Sequence, residues 1–426
     1  MGRYLNPGNE RFQEIINSEV YVDKTGLLEY TNEVMRTNQK NLCISRPRRF
    51  GKSMAASMLT AYYSRGCNST ELFQGLKIAK ADSFLEHLNK YDVISLNMQE
   101  FLSRSKSMDE MLERLRKLVM REVKKEYPDV DYFDDTDLIQ SMQDVYEETK
   151  QPFVVIIDEW DCIFREYQGK KEAQDQYLDF LRDFLKDREY IHLAYMTGIL
   201  PIKKYGTHSA LNMFSEFSMT NPRQLTEFVG FTEKEVEELC GKYGRSLEEI
   251  KEWYDGYRFE SEPSVYSPKS VVEAVLSGIC DTYWNQTETF EALRVYIDMN
   301  FEGLKDDILS MMSGEKVRIN TGSFSNDMVT FHTKDDVLTL LIHLGYLGYD
   351  FDNQSVFIPN NEIRQEFFNA VSELKWDKSA DGAIAQIKRK EYCKSLEEFQ
   401  GNILLVGINY DKSTKKHDCV IEEFVK

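Results

Sequence analysis

The chain has 426 residues, 72 of them acidic against 53 basic, for a net charge of −19. That surplus excludes a protein that coats nucleic acid with its whole surface and leaves room only for a local basic patch. With 42% hydrophobic and 12% aromatic residues the length suits two or three domain cores. The seven cysteines form no CxxC pair and the six histidines no ligand spacing, which reads as reduced thiols in a cytoplasmic protein without structural zinc.

Met1-Gly-Arg-Tyr-Leu-Asn-Pro lacks the apolar core of a signal peptide, and no later run approaches membrane-spanning length. A polar leader gives way to Val20-Tyr-Val-Asp-Lys-Thr25 and a helix through Glu33. The apolar run from Asn41 then meets Arg46-Pro-Arg-Arg-Phe-Gly-Lys-Ser53 just where a helix, Met54 to Tyr63, begins. Strand, Gly-Lys-Ser, helix is the grammar of a phosphate-binding loop. Gly51 lets the backbone curl its N–H groups toward a phosphate, Lys52 reaches the β and γ oxygens, and the Ser53 hydroxyl can ligate Mg²⁺. The expected nucleotide contacts are Arg46, Arg48, Arg49, Phe50, Gly51, Lys52, Ser53 and Met54, with Arg46 standing where the pattern has a glycine.

Asp92–Asn97 reads as a second strand and Met108–Glu126 as an amphipathic helix covering the sheet. Phe153-Val-Val-Ile-Ile is β-branched and apolar throughout, the pattern of a strand buried on both faces, and it ends in Asp158-Glu159. At the C-terminal edge of a parallel sheet Asp158 can hold Mg²⁺ while Glu159 polarises a water. A charged helix, Glu172 to Lys186, leads to a strand from His192 whose last polar residue, Thr197, would emerge beside Asp158 as a γ-phosphate sensor. Arg223 or Arg182 could stabilise charge there.

Beyond Arg223 the texture becomes helical. Thr232 and Glu235 predict a capping box; Ser246–Tyr254 and Pro268–Ser277 continue as short helices. Leu338–Gly345 followed by Tyr346–Asp350 and Val356–Pro359 reads as a helix and hairpin of winged-helix type, with His343 a packed core residue. Trp253, Tyr254, Tyr257 and Phe259 read as packing in this region, with base stacking as the alternative.

Tyr21-Val-Asp-Lys-Thr25, the loop Arg46–Ser53, Asp158-Glu-Trp-Asp161, Gly198-Ile-Leu-Pro-Ile-Lys203, Asn221-Pro-Arg223 and Trp253–Phe259 together resemble the bacterial AAA-ATPase-like family that carries a C-terminal PD-(D/E)XK nuclease-like domain. The resemblance runs over nearly the whole chain. It implies ATP binding, makes Arg46 a family trait, and supplies no measured substrate. It also implies a nuclease module in which Glu373 and Lys375 share one face of a strand and Gln386 lies on the following helix. An upstream Asp that would share Mg²⁺ with Glu373 is missing, and Asp350 and Asp352 are the only nearby substitutes.

The expected architecture is therefore α/β. A P-loop NTPase domain with a doubly wound parallel sheet spans 1–225, a mainly helical, winged-helix-like region 226–370, and a small α/β nuclease-fold remnant 371–426. Three functions stay open: an ATP–Mg²⁺ hydrolase, an ATP-gated nuclease on DNA or RNA, and a nucleotide-switched module that binds a protein partner. A homo-oligomer is compatible with each.

Overall fold

Mostly apolar runs become the inner strands of a central sheet of five, with a short, half-exposed Ser-Glu-Phe strand at one edge. The five are β1 (Asn41–Ser45), β2 (Asp92–Asn97), β3 (Phe153–Asp158), β4 (Ile191–Gly198) and β5 (Ser215–Phe217), ordered β2-β3-β4-β1-β5. Every pairing is parallel, so helical crossovers must cover both faces. β1 and β3 are buried at every position. The computed structural model describes residues 2–202, 211–259, 264–284, 290–299, 301–372, 403–411 and 416–424.

The helices before β5 include α1 (Glu10–Ile16), α2 (Gly26–Val34), α3 (Lys52–Tyr63), α4 (Met108–Glu126), α5 (Leu138–Thr149), α6 (Cys162–Glu166) and α7 (Lys171–Leu185), beside other short helices. α4 shows how local rules fix an element. The Ser107 side chain accepts from the Glu110 N–H, acids occupy the first turn and Lys124 and Lys125 the last, and Met111, Leu115 and Val119 face the core. A doubly wound P-loop NTPase sheet results.

The helical region follows in the same compact unit, Met1–Asn369. β6 (Phe231–Thr232) leads into α8 (Glu233–Tyr243), where Thr232 and Glu235 form the expected capping box. α9 (Leu247–Tyr254), β7 (Val265–Tyr266), which pairs with β6, and α10 (Pro268–Ser277) close a core around Tyr254, Tyr266 and Val271. Tyr257 and Phe259 are buried as well, so this aromatic group is packing.

α11 (Phe290–Ile297), α12 (Leu304–Met312), β8 (Val317–Arg318) and α13 (Lys334–Leu344) precede the hairpin β9 (Gly348–Asp350) and β10 (Ser355–Phe357). β8 joins β10 as a third strand that the sequence pattern did not disclose. His343 is a core residue, stacked on Phe324 at 5.8 Å. Asp350 serves the hairpin. Lys316 at 2.6 Å and Asn353 hold it, Lys316 being the larger cause that pushes its carboxyl down to about 2.

α14 (Asn361–Ser372) begins in this unit and runs three residues past its boundary at Asn369. In the second unit, Ala370–Lys426, β11 (Ile403–Asp411) and β12 (Lys416–Phe424) pair antiparallel. Glu373, Lys375 and Gln386 lie outside the described residues. Among the described residues no helix is long and apolar enough to cross a membrane.

Candidate nucleotide site

The sheet order decides where chemistry can occur. β4 lies between β1 and β3, so the loop that leaves β1 and the acids that end β3 flank the end of β4. Register then sets a row along the C-terminal edge: Asn97 is opposite Asp158, and Asp158 opposite Thr197. Asn97 Nδ2 donates to Asp158 Oδ2 at 3.4 Å.

Between β1 and α3 the loop alternates its handedness. Arg49 (φ 68°) and Gly51 (φ 89°) are left-handed and Phe50 between them is not. Such alternation turns successive N–H groups to a common side and makes an anion cradle. Nothing lies within 4 Å of where a Gly51 Cβ would be, so its backbone conformation and not crowding demands glycine there. Lys52 begins α3, and its Nζ donates to Pro47 O at 2.8 Å. Ser53 hydrogen-bonds the Asp158 side chain.

The acids are held by a strained turn. Glu159 has φ 55°, unfavourable for a residue with a Cβ. The Trp160 N–H donates to Thr197 O at 3.1 Å, and Asp161 Oδ2 accepts from the N–H groups of Ile199 and Leu200 at 3.0 and 2.9 Å. These bonds lock the turn after β3 to the end of β4. Arg165 on α6 pairs with Glu159 and lies 3.6 Å from Asp161.

Burial tunes the charges in opposite directions. Desolvation lowers the Lys52 pKa and raises that of Asp158. Each charge would be relieved by a counter-charge, a phosphate for the lysine and a cation for the carboxylate. The Thr197 hydroxyl is buried without a hydrogen-bond partner, next to Asp158 in register. By donor set and electrostatics, Lys52, Ser53 and Asp158 fit a magnesium–nucleotide.

These groups stand at one end of a cavity of about 1020 Å³, which is ample for a nucleotide. Arg48 to Ser53, Asn97, Glu159 and Arg165 line that end. The other end is apolar, formed by Phe12, Val20, Met54, Phe228, Phe231 and Val272. Lys24 closes the gap between the leader and the helical region: its Nζ pairs with Glu235 and donates to Glu227 O at 2.6 Å.

Most expected site residues meet here, and three do not. Arg46 is fully buried under the Phe259 ring at 5.2 Å, donating to Ser45 O and Phe217 O; burial lowers its pKa to about 10. It braces the loop's root against β5 and does not line this cavity, because its long side chain turns back into the sheet. Arg223 is exposed beside Phe217 at edge strand β5, and Arg182 pairs with Asp179 and Asp183 on α7. Neither contributes to the cavity lining. Thr197 reaches the site through its neighbour Asp158 and is not on the cavity surface.

Asn97, Arg165 and Lys24 are site residues that sequence reasoning passed over. Two carried a signal. Asn97 is the polar end of an apolar strand, as Asp158 is of β3, and Arg165 follows Asp161 by one helical turn.

Residues 7–207 match the model of a family described as Predicted AAA-ATPase. No curated protein matches the chain. Solved structures similar to it include Cdc6p from Pyrobaculum aerophilum, at 10% identity and TM-score 0.31 over 87% of this chain and 99% of that one. Another is the Aeropyrum pernix ORC2 protein in ADPNP–ADP complexes, at 12% identity and TM-score 0.34 over 86% and 98%. A third is the Aeropyrum pernix ORC1 protein in complex with DNA, at 14% identity and TM-score 0.29 over 88% and 98%. At these scores the likenesses carry no argument, and the fold rests on the strand order.

Proposed function

We propose that this chain binds ATP and hydrolyses it. The observation that carries the reading is the convergence of Lys52, Ser53 and Glu159 on the wall of one cavity that also has apolar lining, with Asp158 buried behind Ser53 and bonded to it. The apolar end takes the base, and the loop N–H groups with Lys52 take the β and γ phosphates. Ser53 and Asp158 would hold Mg²⁺, which would supply positive charge to neutralise the phosphates. Glu159 accepts a proton from the attacking water as the oxygen bonds to the γ-phosphorus and the bond to the ADP oxygen breaks. Arg165, bound to Glu159 in this structure, sets where that carboxylate points and must yield it for proton transfer. Thr197 steadies Asp158 and the γ-phosphate end.

The Arg165–Glu159 pair also favours a second reading, a nucleotide-switched binding module in which turnover is slow because the carboxylate is engaged. We take the C-terminal unit as a nuclease-fold remnant without cleavage activity, and the site of work as the cytoplasm. Equilibrium binding of a fluorescent ATP analogue tests the first step: Lys52→Ala should lose about 10²-fold in affinity, since a charge-assisted phosphate interaction is removed. Unchanged affinity would refute the reading. Turnover measured with and without DNA or RNA separates the hydrolase from the switch and from any nucleic-acid-stimulated form.

A further inference from the structure

The phosphate loop is tied to the helical region at three places. Gly345, at the C-terminal end of α13, approaches it so closely that a Cβ there would fall 2.8 Å from both Pro47 Cβ and the Trp284 ring. Phe50 packs edge-on against Tyr257 at 5.2 Å, and the Tyr257 hydroxyl donates to Gly345 O at 2.6 Å. Arg49 donates from its guanidinium to Tyr283 O.

The path continues beyond Tyr283 and Trp284. Their N–H groups donate at 2.7 and 2.9 Å to one oxygen of Glu362, a carboxyl only 1% exposed, which also accepts from the Ser270 hydroxyl of α10 at 2.9 Å. Glu362 lies in the first turn of α14. A buried carboxyl that gathers two backbone donors and a hydroxyl is costly to rearrange, because any donor it releases is left unpaired.

We propose that Arg49, the Tyr283–Trp284 backbone and Glu362 form a relay by which the phosphate state of the cavity sets the order of α14, the helix that leads into the C-terminal unit. The inference rests on the nucleotide reading of the same cavity. Arg49 belongs to both ends of the relay: its left-handed backbone shapes the cradle and its side chain holds the Tyr283 carbonyl. A phosphate drawn into the cradle fixes the loop around it with the Arg49–Tyr283 bond kept. That tightens the restraint on Tyr283 and Trp284, and through them the seat of Glu362. By linkage, a more ordered α14 favours the same phosphate state in return.

Amide hydrogen exchange on the full chain tests this, with ATP–Mg²⁺ or ADP at concentrations that saturate each variant. In the wild type, ATP should slow exchange at 51–58 and, by about fivefold or more, at 361–369, with ADP weaker at the second segment. Glu362→Gln and Ser270→Ala, which removes the hydroxyl donor to Glu362, should keep the response at 51–58 and reduce that at 361–369 below about twofold. Protection of 51–58 with no change at 361–369 in the wild type overturns the relay alone, as does a full α14 response in either variant. If Glu362→Gln fails to fold, Ser270→Ala decides. No protection at 51–58 removes the nucleotide reading, and the relay with it.

Discussion

The two ends of the cavity are built by different means. At the phosphate end the groups come from one loop, 48–53, and from the ends of parallel strands, so backbone register alone brings Asn97, Asp158 and Thr197 into line. At the apolar end the side chains come from the leader, from α3 and from beyond the sheet, and Lys24 with Glu235 spans 211 positions in sequence to hold them. Backbone geometry is rigid and discriminates; side-chain packing is adjustable and supplies affinity. The first end should therefore sense the γ-phosphate, and the second should grip ATP and ADP alike.

The sharpest break of that contrast is Glu159→Gln. Turnover should fall about 10²- to 10³-fold as the proton acceptor is removed, while ATP binding is kept. A steady-state phosphate-release assay beside equilibrium binding decides it, and an equal fall in both would erase the division of labour between the acids and the cradle.

Next in size is Glu362, behind the phosphate end. Burial raises its pKa from the ordinary 4.5 to about 7 against the bonds from Ser270, Tyr283 and Trp284 and the nearby charge of Arg49; Tyr254 and Tyr257 are the other titratable groups that feel it. The folded state thus binds more protons than the unfolded one between those pH values. Its contribution to stability is complete below 4.5 and is lost as pH rises through about 7. Glu362→Gln should remove that slope, so its stability relative to the wild type climbs across the window by on the order of 2 kcal/mol. Parallel urea midpoints for the two proteins from pH 5 to 8 would contradict the assignment.

The smallest effect belongs to the apolar end. Met54 is 44% exposed although it lines the cavity, so truncating it should leave folding intact. Met54→Ala should weaken ATP and ADP by the same factor, about three- to tenfold for the apolar surface that the shorter side chain no longer covers. A weakening confined to ATP would place Met54 at the phosphates and reverse the orientation of the bound nucleotide.

This contrast also explains what could be read in advance. β2, α4 and α10 were legible to the residue, and the Thr232–Glu235 box was foreseen, because strand burial, caps and helical spacing are local signals. That Lys52, Ser53, Asp158 and Glu159 would meet at the C-terminal edge of the sheet was legible for the same reason. The apolar wall was not: Phe12, Phe228 and Val272 sit in unremarkable apolar patterns and meet only through tertiary packing. Arg46 misled because an arginine beside a phosphate loop suggests phosphate recognition, whereas only the path of β5 and Phe259 shows that its guanidinium points inward. β8, of two residues, was too short to leave a pattern.

The close approach of Gly345 to Pro47 has a practical meaning for dissecting the chain. Cutting after residue 225 keeps all five strands of the sheet, since each of them precedes that point. It would nevertheless strip Pro47, Arg49 and Phe50 of Gly345, Tyr283 and Tyr257 and lay an apolar loop root open to water. A fragment that keeps these supports must run past Gly345 and Glu362, as the compact unit Met1–Asn369 does, whereas a boundary near 225 should yield a sheet that folds around a loop it cannot hold.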